Sequence, residues 1–329
     1  MRKLEAERAS VIIDRRMRRC AAACRHSRPF SSSAPAPVVD DVAHCLSLVR
    51  EYEYGHLLHN SLLPKPLRPA HAVLRAFNVE TARVGQLAGD ELKGRMRMQW
   101  WREGVERGAD REQPLEHHPV QRPLGLLLRE NSSVVGWLQR VIAAREGALS
   151  GQPQQDVAGM EDYADRTAGS LLYALLNVAG IGVGDELSEH DEVAYVAAAS
   201  VGKALGLSML LQSAPEHAAN RTCCLPLGPL RARGASLESF YGRKSDGNIR
   251  AVFEEVAAAA EAHLARAREL RPSLSADARG LLLSAALAEE YLGRLRAAEW
   301  DGFAESVHAP RAPLGLQAQL GWRAMRGSY

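Results

Sequence analysis

The segment Val193–Gln212 does most to fix what this chain can fold into. It is a run of twenty residues, nearly all apolar or small, with one charge, Lys203, near its centre. A charge at that depth costs about 2.5–3.5 kcal/mol on membrane-insertion scales, so the segment reads as a helix buried in protein rather than a membrane span. A helix apolar on every side has to be wrapped by other helices. Ala198, Gly202 and Gly206 recur every four residues along one face, where a second backbone can approach closely.

The rest of the chain supplies the wrapping. No run alternates with period two for long enough to build a sheet, and an Ala- and Leu-rich sequence with only 5% aromatics favours helices. A first helix is predicted from an Asp40 or Asp41 cap to about His59. Pro64, Pro66 and Pro69 then interrupt the chain. Further helices are predicted over about 70–88, 90–107, 120–129, 133–149, 160–179, 188–212, 248–270 and 276–297. The stretch 108–123 reads as a polar loop, 229–245 as irregular with a turn near Leu237–Tyr241, and Gly180, Gly182 and Gly184 as a helix end and turn. With 329 residues and 46% hydrophobic content, the fold class is all-α: a single helical domain over residues 39–329.

Residues 1–38 read as a mitochondrial transit peptide and linker. From Met17 the chain is rich in Arg, Ser and Ala and free of acid for more than twenty residues. Arg28-Pro29-Phe30 before Ser31 has the form of a matrix processing site, and Met17 is an alternative start to Met1. Residues 1–30 hold nine Lys/Arg and three acids, so the overall +2 less this +6 leaves the body at −4. That balance gives no electrostatic reason to expect nucleic-acid binding. Cys45, Cys223 and Cys224 form neither a C-x-x-C pair nor a disulfide framework. His56 and His59 are spaced i, i+3 on a helix but lack a third ligand in the sequence, so they read as a surface or satisfied pair rather than a zinc site. His117-His118 reads as a solvated loop pair. No Ser-His-Asp or Cys-His constellation can be placed, and no catalytic residue, metal or cofactor is expected.

Several blocks resemble the squalene/phytoene synthase family. Gly206–Pro226, GLSMLLQSAPEHAANRTCCLP, is similar to its second aspartate-rich motif, D-x-x-x-D, followed by a basic turn and Leu-Pro. Leu63-Pro64, Arg68, Ala70 and Leu74-Arg75-Ala76-Phe77 resemble the entry to its first motif. Asp162-Tyr163 with Thr167-Ala168-Gly169-Ser170 resembles a further conserved helix, where Gly169 allows close packing. The resemblance implies an isoprenoid (terpenoid) synthase fold. It also locates the metal-binding positions, at Ala82, Arg83 and Gln86 in the first motif and at Ser213 and His217 in the second. Mg²⁺ and a diphosphate need clustered carboxylates. None of the five supplies one, and Arg83 repels a cation. Glu80 and Glu216 are the nearest acids, and Glu80 lies off the face of the first motif.

A finer resemblance, carried by Leu74–Glu80 (LRAFNVE), Met96–Arg102 (MRMQWWR) and the Trp322-Arg323…Tyr329 end, is to the mitochondrial complex I assembly factor 6 subfamily. It implies a non-catalytic protein of the mitochondrial matrix, peripheral to the inner membrane, whose partners are complex I subunits or assembly intermediates. Asn78, Glu80, Gln99, Trp100, Trp101, Arg102 and Tyr163 are the candidate partner or cavity residues. The alternative for the polar ones is that Asn78, Gln99 and Arg102 satisfy one another and nearby backbone. Two other functions stay open: a prenyl transferase condensing prenyl diphosphates, which requires the missing carboxylates, and a carrier that keeps an apolar cavity for an isoprenoid, lipid or quinone.

Overall fold

A computed structural model describes residues 36–184, 187–309 and 313–328, which are helices and connectors with no strand among them. The leader features from Met17 to Phe30 lie outside the described residues. In chain order the helices are α1 (Ala36–Tyr52), α2 (Tyr54–Leu62), α3 (Arg68–Ala82), α4 (Val84–Ala88), α5 (Glu91–Ala109), α6 (Gln121–Glu130), α7 (Val135–Gly147), α8 (Val157–Ala164) and α9 (Ser170–Val178). There follow α10 (Glu189–Gln212), α11 (Ala214–Ala219), α12 (Leu227–Ala232), α13 (Leu237–Tyr241), α14 (Gly247–Leu270), α15 (Ala276–Leu281), α16 (Ala285–Ala297), α17 (Glu305–His308) and α18 (Pro313–Arg326).

The apolar helix α10 is the hub. Ser188 and Asp191 close a capping box at its start, and it packs against α8, α9, α14 and α16. Its glycines meet backbone. A Cβ on Gly202 would lie 2.4 Å from Gly169 Cα, and one on Gly206 would lie 2.4 Å from Ala164 Cβ. Ala164 ends α8, and Gly169 ends the π-helical turn, Asp165–Gly169, that joins α8 to α9. Asp165 accepts from Tyr173 Oη at 2.6 Å and from Arg140 Nη2 at 2.6 Å, bonds that hold this widened turn in place.

The predicted helices exist, but several are divided. The first begins at Ala36 rather than at an Asp40 or Asp41 cap, because Asp41 lies within it and turns to Arg122, Oδ1 to Nη2 2.7 Å. It then breaks at Glu53, whose φ of −139° and ψ of 51° leave the helical region. The helix predicted over 70–88 breaks at Arg83, and the one predicted over 160–179 passes through the π turn. The segment predicted over 276–297 contains a 3₁₀ turn at Leu282–Ser284. Short helices α11, α12 and α17 and the terminal α18 have no counterpart among the predicted helices. Gly180, Gly182 and Gly184 all take positive φ, as a helix end and turn require.

The break at Glu53 serves a buried ionic network. The Glu53 carboxylate accepts from Arg75 Nε at 2.6 Å and Asn78 Nδ2 at 2.5 Å, and Arg75 Nη2 forms an ion pair with it at 2.6 Å. Asn78 in turn accepts from Arg145, at its carbonyl from Nη1 (2.7 Å) and at Oδ1 from Nη2 (2.5 Å). Thr81 Oγ1 also accepts from Arg145. Arg75, Asn78 and Arg145 are buried, so α1–α2, α3 and α7 are tied together in the interior.

Four outcomes follow for stability. Gly202→Val should lower stability by about 3 kcal/mol through overpacking against Gly169. Gly293→Ala, in a helix position with open space around it, should raise it by about 0.5–1 kcal/mol; urea titration checks both. Glu53→Gln leaves a buried guanidinium without its counter-charge and should cost about 3–5 kcal/mol. Glu91→Gln at the exposed Arg95 pair should change the same titration by less than about 1 kcal/mol.

Candidate functional site

The two motif regions, more than a hundred residues apart in sequence, meet at one cavity of about 400 Å³. Ala82 and Gln86 reach it from the end of α3 and from α4, and His217 from α11. Tyr163 from α8 and Leu210 from α10 complete this side of the wall. The other two motif positions turn elsewhere. Arg83 stacks over the Tyr52 ring, its Cζ 4.1 Å from the centroid, and the Ser213 hydroxyl donates to the Leu210 carbonyl at 2.8 Å. Pro215 has no N–H to extend α10 and its ring crowds the preceding turn, so the chain restarts there as α11.

The chemistry of the cavity follows from its lining. Glu216 is the one carboxylate among the lining residues, and it is exposed. His217 Nδ1 lies 2.8 Å from Thr222 Oγ1, and burial lowers its pKa and keeps the ring neutral. Arg145 lines the cavity but spends its terminal nitrogens on Asn78 and Thr81. The Cys223 and Cys224 thiols on the far wall are pushed up by burial, Cys223 to about 11, so neither is a ready nucleophile. A hard cation needs six or more oxygens, and these side chains do not gather them. The space suits an uncharged or apolar molecule.

The other candidate residues sort into two groups. Asn78 belongs to the buried network, away from Gln99 and Arg102. Those two do pair, Arg102 Nη1 to Gln99 Oε1 at 2.7 Å, and Arg102 continues to Glu146 at 2.5 Å. Glu80 is half-buried and does not line the cavity. Trp101 is buried edge-on against Phe77 at 5.5 Å, whereas Trp100 keeps 36% of its surface exposed. Leu92 (70% exposed) and Met96 (66%) continue that exposed line along α5.

A second cavity, of about 500 Å³, lies beyond the Glu53 network and is lined by Glu53, His56, Met209 and Tyr291 among others. His56 and His59 are not a surface pair. Both are buried, and the turn at the prolines brings His71 of α3 beside them, with ring centroids 5.2 Å from His59 and 6.2 Å from His56. The third histidine was missed because it sits across a helix hairpin, where helical spacing carries no signal.

Comparison with known proteins agrees with the architecture. A family model for squalene/phytoene synthase matches residues 49–317. The chain is 34% identical over 282 residues, 85% of its length and 81% of the relative's, to a Mus musculus protein named NADH dehydrogenase (ubiquinone) complex I, assembly factor 6. A homolog of that factor from Drosophila melanogaster is 33% identical over 78% of this chain and 76% of its own. Among solved structures, a dehydrosqualene synthase in complex with ligand superposes with a TM-score of 0.72, at 17% identity, over 88% of this chain and 98% of that one. A squalene synthase from Alicyclobacillus acidocaldarius gives 0.66 at 20% identity, over 82% and 97%. The chain therefore belongs to the squalene/phytoene synthase family, in the branch of its complex I assembly factor 6 relatives, and has that family's all-helical isoprenoid-synthase fold.

Proposed function

We propose that this chain is a non-catalytic member of its family that acts in early assembly of respiratory complex I in mitochondria, in the matrix and peripherally against the inner membrane. The observation that carries the loss of catalysis is the 400 Å³ cavity, where Ala82, Gln86 and His217 stand at the metal-motif positions and Glu216 is the one lining carboxylate. The assembly role rests on the names of the relatives, and the acid-free Arg/Ser segment from Met17 supports import. Partners are complex I subunits or assembly intermediates. A second reading, a carrier for an isoprenoid or other lipid, draws its support from the same cavity, which keeps room for an apolar chain.

Incubation with farnesyl diphosphate and Mg²⁺ should release no diphosphate above a blank, and metal-dependent product would overturn the non-catalytic reading. Cells lacking the protein should show reduced assembled complex I on native gels, with other respiratory complexes largely intact. Re-expression of Ser213→Asp/His217→Asp separates the two readings. If the surface of the scaffold suffices, complex I returns to wild-type level at wild-type protein abundance. If a ligand in the cavity is needed, complex I stays low although the variant is folded and abundant.

A further inference from the structure

Three histidines outside the degenerate metal site converge on a separate cavity of about 20 Å³, room for one ion or one water. His56 and His59 come from successive turns of α2, and His71 from α3. One ring nitrogen from each lies within 4.8 Å of the other two. Apart from Arg75 and Ser284 the surrounding wall is apolar, chiefly Leu74, Leu171, Leu175 and Leu205.

Polar atoms face this space without partners. His56 Nδ1, His59 Nδ1 and the Ser284 hydroxyl are buried and make no hydrogen bond, and all three residues line the cavity. Buried polar atoms are almost always satisfied, so three orphans around one space call for a ligand. Two rings are already oriented from behind. His59 Nε2–H donates to the Gly280 carbonyl at 3.1 Å, which fixes the tautomer and leaves the Nδ1 lone pair free, as outer-shell partners of metal-bound histidines do. Asn60 Nδ2 lies 3.0 Å from His71 Nδ1 and holds that ring. Burial lowers the pKa of all three imidazoles and keeps them in the neutral, ligating form. No carboxylate lines the cavity; Arg75 does, and its charge is matched by Glu53.

We propose that His56, His59 and His71 bind a single transition-metal ion of the imidazole-preferring class, with the Ser284 hydroxyl at the remaining position. Three neutral nitrogens and one hydroxyl disfavour Mg²⁺ and Ca²⁺, which require oxygen cages, and suit Zn²⁺. While Asn60 donates to His71 Nδ1, the ring proton sits on Nε2. Metal entry moves that proton to Nδ1, and Asn60 turns its carbonyl oxygen to accept it, giving up its 2.7 Å bond to the Arg68 carbonyl.

The test uses the full chain without an affinity tag, stripped with a chelator, re-equilibrated with Zn²⁺ and assayed for metal content and thermal melting. One equivalent of zinc and a raised melting temperature are expected. His59→Gln and His71→Gln should each weaken zinc binding at least tenfold and remove the melting shift, whereas His117→Ala should retain both. Circular dichroism in chelator identifies which variants fold, and only those are compared. Should either glutamine variant fail to fold, Ser284→Ala, which spares the three imidazoles, should still bind zinc more weakly than wild type. No zinc on the wild-type chain at micromolar free metal, the result expected if a water fills the cavity, overturns the proposal. Folded His59→Gln or His71→Gln chain that keeps one equivalent does the same.

Discussion

The interior is organised around one buried carboxylate. Glu53 leaves the helical region at the α1–α2 junction, and its charge offsets Arg75 and, through Asn78, Arg145. Asn78 is suited to the middle of that chain because an amide both donates and accepts. Its NH₂ serves Glu53 while its two carbonyl oxygens serve Arg145. An aspartate there would repel Glu53, and a leucine would orphan groups on both sides. The network reaches from the 500 Å³ cavity, which Glu53 lines, to the 400 Å³ cavity, which Arg145 lines. It is a polar partition inside an otherwise apolar bundle.

The residues at the positions that resemble the family's aspartates have local partners of their own. Arg83 rests on Tyr52, and Ser213 ends α10 by bonding the Leu210 carbonyl. Neither lines the 400 Å³ cavity.

Much of this architecture was legible in the sequence because it is local. The hydropathy of 193–212 announced a central helix, its small-residue face announced a close neighbour, and the proline cluster marked the α2–α3 turn. The family motifs located both halves of the cavity. What stayed hidden depends on partners far along the chain. The break at Glu53 answers to Arg75 and Asn78, Asp41 is drawn to Arg122 instead of capping a helix, and the π turn is held by Tyr173 and Arg140. The histidine cluster was out of reach for the same reason: two members share a helix, and the third arrives only when the chain folds back.

The contact of Gly202 with Gly169, and of Gly206 with Ala164, bears on why the cavity persists without a cluster of carboxylates to fill it. Met160 and Tyr163 on one side and Leu210 on the other line the 400 Å³ space, and their helices already touch backbone to backbone a turn or two away. Such walls cannot be drawn closer by trimming side chains, because nothing remains between them to trim. The hollow acts like the span of an arch whose stones are already in contact. It can be filled from within or left open, but it cannot contract while the fold stands.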